Sequence, residues 1–247
     1  MSITLNSITG KNISIYKSKK TIPVFIAGNG AIGGTLIRQI KQLDNPLFRI
    51  SIIGVCNSKK VIWNPDPDLI HEKLRYSDGE TNWENITNKL ARYPEGLIFI
   101  DATGSEIVAR QYLKLLSKGI HITTPSKRAN TFEQNYFEEL KAFQKPGKAQ
   151  YRYETAVGAG LPVINTINNL IESGDSITKI SGVVSGTMTY IFNQLQQGIP
   201  FSKIIKSAKT EGYSEPDPRD DLSGEDVARK FLILARTCGY TFERDQI

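Results

Sequence analysis

The residues in this sequence best suited to chemistry are crowded near its end. The run SEPDPRDDLSGEDVARK, residues 214–230, holds Glu215, Asp217, Asp220 and Asp221 in a segment stiffened by Pro216 and Pro218, then enters a helical pattern. Asp226 and Lys230 stand four apart in that pattern, so their side chains can meet on one helix face. By spacing alone this is a surface pair worth about 0.3–0.5 kcal/mol, with Ser223 and Asp226 resembling a capping box. Other features favour proton transfer. At about 100° per residue, Val227, Phe231, Leu234 and Cys238 form the apolar face, while Glu225, Arg229 and Arg236 fall on the solvent side. Asp226 and Lys230 lie on the shoulder between, and the carboxylates ahead of them are too many for one cap. A lysine partly shielded from water and oriented by carboxylates can hand a proton to a carbonyl oxygen.

A second lysine stands where a parallel sheet would deliver it. The apolar strand IHITT, 120–124, is closed by Pro125, and TPSKRAN continues at once into Lys127. Ligands of open parallel sheets bind beyond the carboxyl ends of the strands, so Lys127 is aimed at such a site. Its neighbour Arg128 is expected to point elsewhere.

Both lysines would need a partner molecule, and the glycine loop says which. Gly28-Asn29-Gly30-Ala31-Ile32-Gly33 follows the apolar strand TIPVFIA and opens the helical pattern TLIRQIKQL. In that context G-x-G-x-x-G signals a dinucleotide: a tight turn, a close approach to the pyrophosphate, and close packing of helix on strand. The main-chain N–H groups that begin the helix, at Ala31, Ile32 and Gly33, face the phosphates. The next strand, ISIIGVC, ends in Asn57-Ser58-Lys59-Lys60. No carboxylate stands there to repel a 2′-phosphate, and Lys59 or Lys60 can pair with one, which favours NADP(H) over NAD(H).

The elements that must position these residues alternate between strand and helix. LIFIDAT, 97–103, is a third strand; Ser105 caps the helix EIVARQYLKLLSK, which Gly119 ends. Thr131 and Gln134 read as a capping box before FEQNYFEELKAF. The stretch from Asn57 to Asn82 is polar loop with one short helix. This alternation predicts an α/β fold, a Rossmann-type doubly wound parallel sheet. After KPGKAQ, 145–150, the rhythm changes to a short strand YRYET, the glycine turn VGAGLP, a helix, a strand KISGVVS and further helices. The expected division is a leader over 1–20, a nucleotide-binding domain over 21–149, and a smaller α+β substrate-binding and dimerisation domain over 150–247.

Composition narrows the partners. The net charge is +6, without an arginine-rich arm or aromatic–basic interleaving, which argues against nucleic acid and suits phosphorylated or acidic small molecules. Cys56 and Cys238 lie in apolar runs and read as reduced thiols; His71 and His121 have no metal-ligand spacing and read as structural. The N-terminal run shows neither a signal peptide nor a membrane anchor, so a cytoplasmic protein is expected.

Taken in order, GNGAIGG, DATGSEIVARQY, HITTPSKRANT, YETAVGAGLPVINTINNLIESGD, KISGVVSGTMTYIFNQL and GYSEPDPRDDLSGEDVARKFLILAR resemble homoserine dehydrogenase, most closely the form that makes the C-terminal half of bifunctional aspartokinase–homoserine dehydrogenases. The resemblance implies NAD(P)-dependent interconversion of L-aspartate 4-semialdehyde and L-homoserine, on the aspartate route to threonine and methionine. It implies that Lys127 and Lys230 are active-site lysines, with Asp226 beside Lys230, that Glu215 and Asp221 bind the substrate, and that Thr103 touches the cofactor. It also implies a Na+ or K+ site at Glu154, Val157, Ala159 and Leu161, where the VGAG turn would direct carbonyls toward one point, and a homodimer joined through the second domain. Against the family's pattern the last third of the catalytic unit has no counterpart here, so the second domain is expected to be truncated and turnover poor. The competing reading is a non-catalytic nucleotide-binding or regulatory fragment of such an enzyme.

Overall fold

The computed structural model describes residues 19–93, 96–143, 147–213 and 222–247. Six strands form one sheet: β1 (Lys20–Ala27), β2 (Phe48–Cys56), β3 (Val61–Trp63), β4 (Ile98–Asp101), β5 (His121–Thr123) and β6 (Tyr151–Arg152), in the order β3-β2-β1-β4-β5-β6. Every pairing is parallel except that of β2 with β3. Strands covered on both faces read as unbroken apolar runs, and Val24, Phe25, Ile26 and Ala27 of β1 are all buried. On one face, Ile37 of α1 (Ala31–Gln42) and Ile70 and Leu74 of α2 (Ile70–Tyr76) pack against Val24, Ile26, Ile52 and Val55. The other face holds the larger core, with Phe25 and Phe99 under α3 (Trp83–Leu90), α4 (Glu106–Ala109), α5 (Tyr112–Ser117) and α6 (Gln134–Lys141). The doubly wound sheet is the one the alternation predicts. Its order reverses between β1 and β4, which opens a crevice at their carboxyl ends.

Among the described residues the further α-helices are α7 (Val163–Glu172), α8 (Gly186–Gln196), α9 (Phe201–Thr210) and α10 (Glu225–Thr237). Two strand expectations change here. YRYET supplies only Tyr151–Arg152, and it pairs with β5 as the sheet's edge rather than with a second sheet. The large core runs on through Tyr153, Ala156, Val157, Ile164 and Ile167 to Ile233 and Leu234 of α10, so residues on both sides of position 150 share it. KISGVVS forms no strand: a strand exists only through its ladder, and this segment has no ladder partner among the described residues. Val183 within it is 82 % exposed.

Local signals hold in part. Ser105 caps α4 by accepting from Val108 N, and Gly119 ends the next helix at φ +79°. The Thr131–Gln134 capping box does not form. Thr131 instead closes a 3-10 turn over Ala129–Thr131 and donates its hydroxyl to the carbonyls of Lys127 and Arg128. Gln134 N donates to the Glu243 carboxylate, so the start of α6 is capped from the far end of the chain. Ser223 and Asp226 form no box either: Gly224, left-handed at φ +76°, bounds α10, and Ser223 Oγ accepts from Glu225 N. Between Asn57 and Asn82 the expected short helix is α2, and β3 is an addition to it.

Candidate active site

The glycine loop is built as its spacing requires. Gly28 N donates to Cys56 O at 2.7 Å, which seats the loop on the end of β2. Gly28 has φ +98°, and a Cβ there would lie 2.8 Å from Thr103 Cγ2 and 2.9 Å from Ala102 O. A Cβ on Gly33 would lie 1.9 Å from Gly28 O, so α1 and the loop touch through bare backbone. At Gly30 a Cβ would meet nothing within 4 Å. That open side sits over the start of α1, which has no side-chain cap and no acidic residue in its first turn. Its leading N–H groups, at Ala31, Ile32 and Gly33, are thus suited to an anion, and the cradle fits a dinucleotide pyrophosphate.

The end of β2 forms a tight turn around Asn57, whose Oδ1 accepts from Lys59 N and Lys60 N, both at 2.8 Å. Asn57 is therefore committed to shaping the turn that presents Lys59, which is exposed.

Across the crevice, buried Asp101 organises the end of β4. Its Oδ1 accepts from Thr103 N at 2.7 Å and from the Thr103 hydroxyl at 2.6 Å, and its Oδ2 from the Tyr112 hydroxyl at 2.5 Å. Burial raises the Asp101 carboxyl above its ordinary value, against the opposing pull of those hydrogen bonds. The Thr124 hydroxyl donates to Asp101 O, and Thr124 Oγ1 in turn accepts from Ser126 N. One buried residue thus braces both the Thr103 turn and the chain that leads to Lys127.

Lys127, Asp226 and Lys230 converge, although the sequence separates the first from the others by almost a hundred positions. Asp226 Oδ1 lies 3.0 Å from Lys127 Nζ, and Asp226 Oδ2 lies 2.6 Å from Lys230 Nζ. Lys230 also donates to Val184 O at 2.6 Å. Burial pushes the Asp226 carboxyl up, but the Lys230 hydrogen bond and the Lys127 charge outweigh it and hold the group below its ordinary value. It therefore stays ionised between two ammonium groups. Lys127 and Asp226 line a cleft of about 460 Å³ with Ile32, Thr103, Gly104, Arg128 and Arg229. Lys230 does not itself line the cleft but is joined to its wall through Asp226.

Two basic residues sit where the sequence does not put them. Arg128 lines the cleft, with Nε donating to Gly104 O at 3.2 Å. Strand alternation would turn it away from Lys127, but both residues lie past the end of β5, where neighbours no longer alternate. Arg236 is 1 % exposed, not on the solvent side. The helical wheel is right about its angle, but the chain returns after α10 and covers that side with Phe242 and Glu243. Glu225 and Arg229, which share the angle at the start of α10, remain part-exposed and ion-paired to each other.

The other expected ligands are placed unevenly. Glu215 and Asp221 lie outside the described residues. Glu154 caps α7, its carboxylate accepting from Ile164 N and Asn165 N at 2.9 Å each. The turn beside it carries Gly158 at φ +84° and Ala159 at φ +50°, with Gly158 O accepting from Leu161 N. Among the described residues no group of His, Cys, Asp or Glu is arranged to hold a metal ion. A hard monovalent cation held by the carbonyls of Val157, Ala159 and Leu161 would use a different donor set. His121 is structural: its Nδ1 accepts from Gln150 N.

The family model described as the homoserine dehydrogenase NAD-binding domain matches residues 28–154, and the homoserine dehydrogenase model matches residues 162–247. The chain belongs to the homoserine dehydrogenase family. Among curated relatives, the bifunctional aspartokinase/homoserine dehydrogenase of Buchnera aphidicola is 39 % identical over 98 % of this chain, and that of Haemophilus influenzae is 35 % identical over 98 %. The chain spans 31 % of the length of each. Among solved structures, a Candida auris protein of unknown function is 31 % identical, with a TM-score of 0.78 over 92 % of this chain and 66 % of its own. A hyperthermophilic archaeal homoserine dehydrogenase in complex with NADPH shares the fold, with a TM-score of 0.74 at 22 % identity over 90 % of this chain and 71 % of its own. The NAD-binding model thus covers the glycine loop and most of the sheet, and the second model covers α7 to α10. Among the described residues no helix is long and apolar enough to cross a membrane.

Proposed function

We propose that this chain carries the homoserine dehydrogenase reaction, the NAD(P)-dependent interconversion of L-aspartate 4-semialdehyde and L-homoserine. The observation that supports it best is the single carboxylate of Asp226 on the cleft wall, which pairs with Lys127 on the same wall and with Lys230 next to it on the helix. Gly28–Gly33 and Thr103 would hold the dinucleotide, which would supply the hydride when bound. The protein's part is to manage charge at the substrate oxygen. Asp226 and Val184 O engage two of the three N–H bonds of Lys230, leaving one to donate to that oxygen. Lys127 offers its remaining donors from the cleft wall and stabilises the charge that develops there. Glu215 and Asp221 bind the substrate's ammonium group. Following NADPH oxidation on addition of aspartate semialdehyde tests the reading. Turnover that depends on both compounds supports it; dinucleotide binding without turnover would leave the non-catalytic reading in its place.

The same reading includes a preference for NADPH. Asn57 brings no carboxylate to the ribose, and the turn it closes carries Lys59. A lost 2′-phosphate contact costs about 1–3 kcal/mol, so NADH should bind more weakly by about one order of magnitude or more. Equal dissociation constants for the two dinucleotides would contradict this. A Na+ or K+ ion at Glu154, Val157, Ala159 and Leu161, a homodimer joined through the second domain, and a cytoplasmic setting belong to the proposal as well. The left-handed backbone of Gly158 and Ala159, the exposure of Val183 and the free thiols of Cys56 and Cys238 respectively support them.

A further inference from the structure

Arg236 is a cation with no access to water; its side chain is 0 % exposed. The guanidinium is fully engaged by protein. Nε donates to Phe242 O at 3.0 Å, Nη1 to Asn130 O at 3.0 Å and Phe132 O at 2.6 Å, and Nη2 to Phe242 O at 2.7 Å and Glu243 Oε2 at 3.1 Å. These acceptors belong to two segments that nothing in the sequence pairs. Asn130 and Phe132 lie in the turn that follows Lys127. Phe242 and Glu243 lie where the chain folds back after α10. Arg236 itself is on α10, the helix whose first turns bear Asp226 and Lys230.

The distance between Lys127 and Asp226 is therefore set across elements that share no strand pairing, and the guanidinium is the joint between them. Two further contacts reinforce it. Glu243 accepts from Gln134 N at the start of α6 as well as from Arg236, and the Thr237 hydroxyl meets that of Tyr153 at 3.2 Å. A planar fork can hold several carbonyls in fixed directions, which a lysine's single nitrogen cannot. A buried cation is a poor device for stability alone, since its desolvation offsets much of what its contacts return. Its use here is geometric.

We propose that Arg236 is the positioning residue of the site: it fixes Asp226 and Lys230 on α10 against Lys127 at the end of β5. The proposal rests on the reading of this cleft as the active site, but it can be tested apart from that reading. The central measurement is the coupling between Lys127→Met and Asp226→Asn, obtained from a double-mutant cycle on urea unfolding of the full chain. It is compared in three backgrounds: unaltered, Arg236→Lys and Glu243→Gln. The first change keeps the charge and removes the fork; the second loosens the fork from the exposed end and decides the matter if Arg236→Lys does not fold.

The expected result is a measurable coupling in the unaltered background that vanishes in the altered ones. Turnover in the dehydrogenase assay should fall with it, by about 10²-fold, the order associated with a misplacement near 1 Å. The dissociation constant for NADPH should stay within about twofold, because the glycine loop is untouched, whereas a merely structural role would weaken dinucleotide binding and turnover together. Coupling preserved in folded variants, or turnover preserved in them, overturns the proposal. If the unaltered chain does not turn over, the functional reading fails on its own account, and the coupling still decides the role of Arg236.

Discussion

Asp226 serves two lysines with one carboxylate, and the division of labour between those lysines follows from what else each touches. Lys230, pinned also to Val184 O, is the more fixed; Lys127 faces the cleft with fewer partners. Removing general-acid help costs typically about 10²–10⁴-fold, so Lys230→Ala and Lys127→Ala should each lower kcat by that order, with little change in melting temperature. A Lys230→Ala chain with full turnover would return the pair to the class of surface ion pairs. Asp101 supplies a prediction in pH. Its carboxyl is raised above its ordinary 3.8 in the folded state, so the fold binds that proton more tightly than the unfolded chain does. Its favourable contribution is thus fully present below the ordinary value and is lost as pH rises through the folded value. The stability of the unaltered chain relative to Asp101→Asn should fall between acid and neutral pH in urea titrations. A pH-independent difference would rule out a raised carboxyl.

At the scale of the element, the strand–loop–helix unit from β1 to α1 makes two glycines separable. Gly33 is a packing position: an added methyl meets Gly28 O at 1.9 Å, and overpacking of this kind costs about 1–3 kcal/mol. Gly30 is an approach position with nothing within 4 Å. Gly33→Ala should lower the melting temperature by several degrees and weaken dinucleotide binding. Gly30→Ala should leave the melting temperature in place and weaken binding alone, because the methyl occupies the side from which the pyrophosphate arrives. Calorimetry and dinucleotide titration on the two variants distinguish these outcomes, and identical behaviour would undo the assignment of separate roles.

At the scale of the molecule, one core spans both portions of the chain. Phe25 and Phe99 of the sheet share it with Ile164 and Ile167 of α7 and with Ile233 and Leu234 of α10. The helix that carries Asp226 should therefore melt with the nucleotide sheet and not separately. Urea unfolding followed by far-ultraviolet circular dichroism should coincide with unfolding followed by the fluorescence of Trp63 and Trp83, which pack on that core. NADPH at a hundred times its dissociation constant should shift the whole transition by about 2.7 kcal/mol. Two transitions, only one of them moved by the dinucleotide, would show that α10 belongs to an independent unit.

The sequence by itself determined what short-range rules govern. The apolar run into Gly28–Gly33, the alternation of strand and helix, the Ser105 cap and the i, i+4 meeting of Asp226 with Lys230 all follow from periodicity and backbone sterics within a few residues. The family was also legible there, because its motifs are contiguous. What only the tertiary structure decided involves partners distant in the chain. KISGVVS has the composition of a strand but no ladder partner among the described residues, and Tyr151–Arg152 joins a sheet the rhythm had closed. Thr131 gives up a predicted cap to a 3-10 turn, while Glu243 caps α6 across more than a hundred residues. Arg236 has the helical angle of an exposed residue and the environment of a core one, because a wheel records direction from an axis and not what the rest of the chain lays over it. The meeting of Lys127 with Asp226 is of the same kind: each residue type was visible in the sequence, but their 3.0 Å contact depends on how α10 is seated against the turn after β5.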